Sequence, residues 1–361
     1  MGFQLKAGIV GLPNVGKSTL FNSLLKKQVA QSANYPFTTI EPNVGVVEVP
    51  DERLIQLKNV VESSEKLDPG FKIVPAVVKF VDIAGLVKGA ASGEGLGNQF
   101  LSHIREVDAI VFVLRDFKNP DIIKTGENPI EDLEVLKSEL LLKDLETIEK
   151  RLGTFVKEIK NIPDHDPRVA AFNVLENSKK LVEEGKWLGE VLSDEDLERI
   201  SDLQLLSTKK TIYVINSDES ELNNTPPIEG GIRISAKLES ELAELGEDEQ
   251  KEYMKELGII EPGLNKLITK AYQTLGLATF FTSGPKEVHA WMIRKGSLAP
   301  VAAGAIHTDF QKGFIAADVI DWQKLVEAGG WQKAKAAGLV KTIGKSEEVK
   351  DGYVVEFRFN V

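Results

Sequence analysis

Eight consecutive residues near the amino terminus, Gly11-Leu12-Pro13-Asn14-Val15-Gly16-Lys17-Ser18, carry the groups that grip a phosphate chain. Their spacing is G-x-x-x-x-G-K-[ST]. Gly11 and Gly16 permit backbone angles that turn successive N–H groups toward one anion. Lys17 supplies an ammonium for the β- and γ-phosphates, Ser18 a hydroxyl for Mg²⁺, and Thr19 a further contact to the α-phosphate. A second set follows a β-branched strand run, Val74 to Val81. It is Asp82-Ile83-Ala84-Gly85, the D-x-x-G arrangement, with Asp82 expected to hold Mg²⁺ through water and the Gly85 N–H to meet the γ-phosphate. Upstream, Thr38 and Thr39 lie in a loop from which Thr39 can close on Mg²⁺ and the γ-phosphate, the switch element of this chemistry. Glycines 85, 89, 93, 95 and 97 give the following loop the backbone freedom to order and disorder with nucleotide.

A third set reads the base. Asn216-Ser217-Asp218-Glu219 follows the apolar run Thr211 to Ile215, and Ser235-Ala236-Lys237 fits a loop that backs the base. Guanine-reading P-loop proteins use N-K-x-D, whose Asp accepts from guanine N1–H and N2–H₂. Here Ser217 takes the place of the Lys and Glu219 that of the Asp, which weakens discrimination against adenine. The expectation is ATP, with GTP as a competitor. Catalysis by Lys17, Thr39 and Gly85 would rest on positioning and charge neutralisation. Leu86 stands where related enzymes place a water-orienting Gln, so intrinsic hydrolysis should be slow. His103 and Arg115 are expected on the surface rather than in catalysis.

These sets need a strand-loop-helix framework. Lys6 to Val10 precedes the glycine loop, and Leu20, Phe21, Leu24 and Leu25 carry helical spacing after it. Ala109 to Leu114 and Thr211 to Ile215 are near-continuously apolar, as fully buried parallel strands are. Strands alternating with helices imply an α/β fold with a parallel sheet. Residues 128–208 break the pattern. Leu141, Leu145, Ile148, Leu152, Phe155 and Ile159 form a coiled-coil seam, and Pro167 opens a second helix. An antiparallel helical hairpin inserted into the α/β domain is predicted. From residue 278 onward Gly and Pro punctuate alternating strands, which suggests a small α+β domain. The division is 1–127 with 209–277 for nucleotide, 128–208 for the hairpin and 278–361 for the last domain.

The 361 residues contain no Cys, which excludes disulfides, thiolate-bound zinc and a Cys nucleophile. No apolar stretch approaches a membrane span and no leader pattern is evident, so a cytoplasmic, monomeric protein with no membrane partner is expected. Net charge is −11, so free nucleic acid is not attracted to the molecule as a whole. The charge is uneven: residues 128–208 hold 11 Lys/Arg against 19 Asp/Glu, whereas 278–361 hold 11 against 9. Lys333, Lys335, Lys341 and Lys345 make the last segment the better candidate for a polyanion.

Taken together, Asn14 within GLPNVGKST, YPFTTIEPN (35–43), DIAGL (82–86) and Asn216 to Glu219 resemble the YchF, or Obg-like ATPase, family over essentially the whole chain. The stretch Ile306 to Ile315 looks like that family's TGS domain, a ubiquitin-like β-grasp module. The resemblance implies a nucleotide domain, an inserted helical hairpin and a C-terminal TGS domain. It also implies association with ribosomes or ribosomal RNA, ATP accepted at least as well as GTP, and hydrolysis that waits for a stimulus. Relatives with Asn at position 14 hold K⁺ beside the phosphates, which makes Asn14 a candidate K⁺ ligand. Some carry a His where this chain has Phe112, which puts that His-dependent chemistry in doubt here. Competing classes are a small-molecule kinase, for which no arginine cluster is found, a nucleotide-regulated scaffold, and a GTP-preferring nucleic-acid-binding GTPase.

Overall fold

A computed structural model describes residues 5–31, 43–83, 96–118 and 128–360. The short apolar run after Leu5 forms β1 (Lys6–Val10), and the glycine loop leads into α1 (Lys17–Gln31). Next come β2 (Val44–Glu48), α2 (Glu52–Ser64), β3 (Lys72–Val74), β4 (Val77–Asp82), α3 (Leu96–Arg105) and β5 (Ala109–Asp116). The expected strand Val74 to Val81 is therefore divided. Pro75, which has no N–H to give a ladder, separates β3 from β4, and the two pieces join different sheets.

The first sheet has the order β2-β4-β1-β5-β6-β7, with β6 (Lys210–Ser217) and β7 (Ile232–Ile234) completing it. Only β2 runs antiparallel to its neighbour. Central strands covered on both faces must be apolar throughout, and the first six residues of β5 are all buried. Register fixes the functional edge. Ile9 pairs with Asp82, Val10 with Phe112, Asp116 with Ser217, and Asn216 with Ile234. The carboxyl ends of five strands, β1, β4, β5, β6 and β7, thus lie on one side, around the point where chain order reverses beside β1, the usual ligand site of an open parallel sheet.

Between β5 and β6 stand α4 (Pro129–Glu158) and α5 (Pro167–Glu183), each started by a side-chain cap, Asn128 or Asp166, followed by Pro. The 30 residues of α4 span about 45 Å at ~1.5 Å per residue. Along the predicted seam Leu141, Ile148 and Phe155 are buried, with Leu145, Leu152 and Ile159 packed beside them, and Phe155 meets Phe172 of α5 edge-on at 5.8 Å. The hairpin is rooted in the sheet by Trp187, which packs edge-on against Phe112 at 5.9 Å and donates to the Lys209 carbonyl at 2.8 Å. Phe112 therefore points into this root. Buried Asp144 of α4 accepts from the Leu206 and Ser207 N–H groups at 2.8 and 2.7 Å.

The second sheet has the order β11-β10-β12-β8-β9-β3. Its C-terminal strands are β8 (Leu277–Ser283), β9 (Glu287–Arg294), β10 (Phe314–Asp321), β11 (Lys341–Ile343) and β12 (Tyr353–Phe359), with β8 and β12 parallel at the centre. Phe280, Phe314, Val319 and Val355 form one core on a face of this sheet; Phe281, Val288 and Val354 on the other face join the main core with Leu57 and Val61 of α2.

Candidate functional site

At the carboxyl edge of the first sheet lies a cavity of about 1080 Å³. Asn14, Gly16, Lys17, Ser18 and Thr19 line one end of it; Asn216 to Glu219 and Ser235 to Lys237 line the other. The sequence-derived phosphate and base sets are therefore brought to one cavity. Thr38, Thr39, Gly85 and Leu86 lie outside the described residues.

The phosphate end is shaped by backbone. Asn14 has φ of 63° and Gly16 of 89°, and such left-handed residues within a tight loop turn neighbouring N–H groups inward. Gly16 is sterically required. A Cβ there would fall 2.2 Å from Asn216 Nδ2, and one at Gly11 would meet the Val113 carbonyl at 2.7 Å. Val15 is buried, and Lys17 to Thr19 form the first turn of α1, so its positive end faces the same space. Lys17 Nζ ion-pairs with Asp82 Oδ1, with the two side chains 10% and 20% exposed. The ammonium and the carboxylate assigned to phosphate and metal thus sit together.

The donor set fits Mg²⁺. Ser18 and Asp82 offer hard oxygens, and among the described residues no group of three or more His, Cys, Asp or Glu forms a protein-built cage. Mg²⁺ characteristically keeps water and phosphate in most of its shell and takes only one or two protein ligands.

At the end of the cavity expected to hold the base, Asn216 is a bracket. Its Nδ2 donates to the Val15 carbonyl at 2.8 Å and its Oδ1 accepts from the Ala236 N–H at 2.9 Å, tying the phosphate loop to the loop behind the base. Ser235 caps the helix Ala236–Leu242, accepting from Leu238 N–H at 3.3 Å, and is buried. Asp218 Oδ2 accepts from the Lys118 N–H at 3.1 Å. Glu219 lies 3.6 Å from the largely exposed Lys237 ammonium, which also approaches Glu241 at 3.7 Å.

Sequence reasoning missed four participants. Phe117 and Lys118 line the cavity just beyond β5, Asp116 ends that strand, and Arg233 of β7 reaches both Asp116 and Ser217. The available signal was the polar pair Arg115-Asp116 closing an otherwise apolar strand at the functional edge. The Arg115 guanidinium lies over the Phe117 ring at 4.6 Å. His103 is exposed in the last turn of α3, away from this set of lining residues. In the last domain Lys335 is already paired with Glu356 at 2.8 Å.

The whole chain aligns with curated relatives. It is 46% identical over 374 residues to "Ribosome-binding ATPase YchF" of Bacillus subtilis (strain 168), covering 99% of this chain and 100% of that one. Identity is also 46% to the Escherichia coli O157:H7 protein of the same name, with 100% of both chains covered. The chain belongs to the YchF family. The motif resemblance over the full length is therefore correct. A solved YchF structure, "Structure of the Schizosaccharomyces pombe YchF GTPase", is similar with a TM-score of 0.86 at 36% identity, covering 99% of this chain and 98% of that one. A family model described as "50S ribosome-binding GTPase" matches residues 6–151. A YchF C-terminal model, described as a protein of unknown function, matches residues 277–360, starting where β8 starts. Fold and membership make this YchF chain a P-loop enzyme of the ATPase/GTPase class. Among the described residues no helix is long and apolar enough to cross a membrane.

Proposed function

We propose that the chain is a Mg²⁺-dependent nucleoside triphosphatase that favours ATP over GTP, works as a conformational switch, and associates with the ribosome in the cytoplasm. The observation that carries the base preference is the state of the two carboxylates at the base end. Both line the cavity, but one oxygen of Asp218 accepts from the Lys118 N–H and one of Glu219 lies 3.6 Å from the Lys237 ammonium, so each is partly engaged by protein. A guanine would need one of them for N1–H and N2–H₂; adenine has no such pair of donors to satisfy.

In this reading Lys17 and the backbone of Asn14, Val15 and Gly16 hold the β- and γ-phosphates, with Thr19 beside the α-phosphate. Ser18, Asp82 and Thr39 would hold Mg²⁺, which when bound neutralises phosphate charge. Ser217, Ser235, Ala236 and Lys237 wall the base. Gly85 N–H meets the γ-phosphate, and Leu86 leaves the attacking water without a side-chain orienter, so turnover waits for a stimulus. Asn14, exposed at the cavity, is the candidate K⁺ ligand. The names of the relatives support the ribosomal association.

The test is phosphate release from ATP and GTP, with Mg²⁺ or EDTA and in K⁺ or Na⁺, without any phosphoryl acceptor. Expected are Mg²⁺-dependent release with a lower KM for ATP, faster in K⁺, and loss of binding in Lys17→Ala. Release that needs an acceptor, or a clear GTP preference, would overturn the reading; equal rates in K⁺ and Na⁺ would remove the K⁺ role. Sedimentation with ribosomes, with ADP against a non-hydrolysable ATP analogue, tests the switch; identical co-sedimentation would refute it.

A further inference from the structure

The base end of the cavity is assembled from the last paired residues of the β5–β6 ladder and the segments that follow them. Asp116 and Ser217, the last residues of β5 and β6, are register partners. Arg233 lies on β7, opposite Ile215 of β6. Its Nη1 donates to Asp116 Oδ2 at 2.6 Å and to Ser217 Oγ at 2.7 Å, so one guanidinium nitrogen grips both strand ends. The Ser217 hydroxyl in turn donates to the Ile215 carbonyl at 3.3 Å, which orients it.

The Arg233 side chain is only 9% exposed, and its Nε is buried without a hydrogen-bond partner. Burying a charge against one partly exposed carboxylate is a poor way to gain stability, and an apolar residue would keep β7 in the sheet as well. What the guanidinium adds is a fixed separation of two oxygens. The next residues along each strand, Phe117-Lys118 and Asp218-Glu219, line the cavity, and the Lys118–Asp218 hydrogen bond continues the closure. Ser217 occupies the place where guanine readers carry Lys, so the clamp acts on the wall that distinguishes bases.

We infer that Arg233 is a positioning residue for base selection. It does not line the cavity; it works through Ser217 and Asp116 by holding the 116–118 and 217–219 segments at one spacing. This rests on the reading of the cavity as the nucleotide site.

The experiment is calorimetric titration of the full chain, with Mg²⁺, using ATP, GTP and inorganic tripolyphosphate. Arg233→Met should weaken ATP about tenfold, the scale of one lost charged hydrogen bond, and move the ATP:GTP affinity ratio at least about fivefold from its wild-type value. Tripolyphosphate, which touches only the phosphate end, should bind within about twofold of wild type, and kcat at saturating ATP should hold while KM rises. Arg233→Lys, which keeps the charge and the donors but on a flexible stem without the planar fork, should fall between the two proteins. Asp116→Asn reads the same ratio if Arg233→Met fails to fold. An unchanged ATP:GTP ratio in folded variants, or equal weakening of tripolyphosphate, overturns the role of Arg233 alone. Wild-type protein that binds ATP no more tightly than tripolyphosphate overturns the base-site reading and this inference together.

Discussion

Asn216 and Val15, 201 residues apart in the chain, are joined by a 2.8 Å hydrogen bond from the side-chain amide to the carbonyl of the phosphate loop. The same amide accepts from Ala236, so its orientation is fixed from both ends. Asn216→Ala would leave the Val15 carbonyl and Ala236 N–H without these partners, a loss on the order of 2–4 kcal/mol in stability for two buried bonds. ATP affinity should fall at least about tenfold because loop and base wall lose their common anchor. Asn216→Asp should rescue only the Ala236 contact, since a carboxylate cannot donate to Val15. Calorimetry and thermal melting check this; wild-type ATP affinity in Asn216→Ala would sink it.

Gly16 and Gly153 should respond oppositely to alanine. At Gly16, φ of 89° and a Cβ position 2.2 Å from Asn216 Nδ2 leave no room, so Gly16→Ala should abolish measurable ATP binding. At Gly153, inside α4, nothing lies within 4 Å of the added Cβ. Gly153→Ala should stabilise the protein by about 0.5–1 kcal/mol through helix propensity and a less flexible unfolded chain. A higher melting temperature for Gly153→Ala with unchanged ATP affinity is the expected pair; a lower one refutes the helix argument.

The contrast between these sites explains what could be read from residues alone. The phosphate loop was legible because anion binding by backbone demands glycines at fixed spacing, and β5 and the α4 seam because burial demands continuous or heptad apolarity. Arg233 was not legible: its partners Asp116 and Ser217 come from distant strands and meet only through sheet register. Pro75 marked the break in the β-branched run, but nothing in the sequence showed that Lys72–Val74 and Val77–Asp82 belong to two different sheets. Asn216 was assigned to the base by its motif, but its two hydrogen bonds are to backbone.

Asp144 gives the hairpin root a pH signature. Burial pushes its carboxyl up, against the hydrogen bonds from Ser207 and Leu206 that favour the anion. For an acid whose folded-state pKa is raised, the stabilising contribution is complete below the unfolded value of about 3.9 and disappears as pH rises through the folded value. Relative to Asp144→Asn, which does not titrate, wild-type stability should therefore decline as pH rises from about 4 toward neutrality. Urea denaturation of both proteins across this range measures the difference. A difference that stays flat or grows with pH contradicts the assignment.

The C-terminal domain should prove inseparable from the nucleotide domain. Between β2 and β4 the chain leaves the first sheet, lays α2 against the second, adds β3 to the edge of β9 through Lys72–Glu287, Ile73–Val288 and Val74–His289, and returns to end at Asp82. Arg53 at the start of α2 pairs with Asp351 at 2.7 Å and lies over the Phe281 ring at 5.0 Å. Ending the chain after residue 276 would remove these partners and uncover Leu57 and Val61, which share a core with Phe281 and Val288. The lost burial is worth on the order of 5 kcal/mol, comparable to the whole stability of a typical domain. The truncated protein should be insoluble or melt without cooperativity, and its ATP affinity should fall because β4 carries Asp82. A soluble fragment with a sharp melting transition and wild-type ATP binding would mean that the second sheet is an appendage, and that β3 contributes nothing to the position of Asp82.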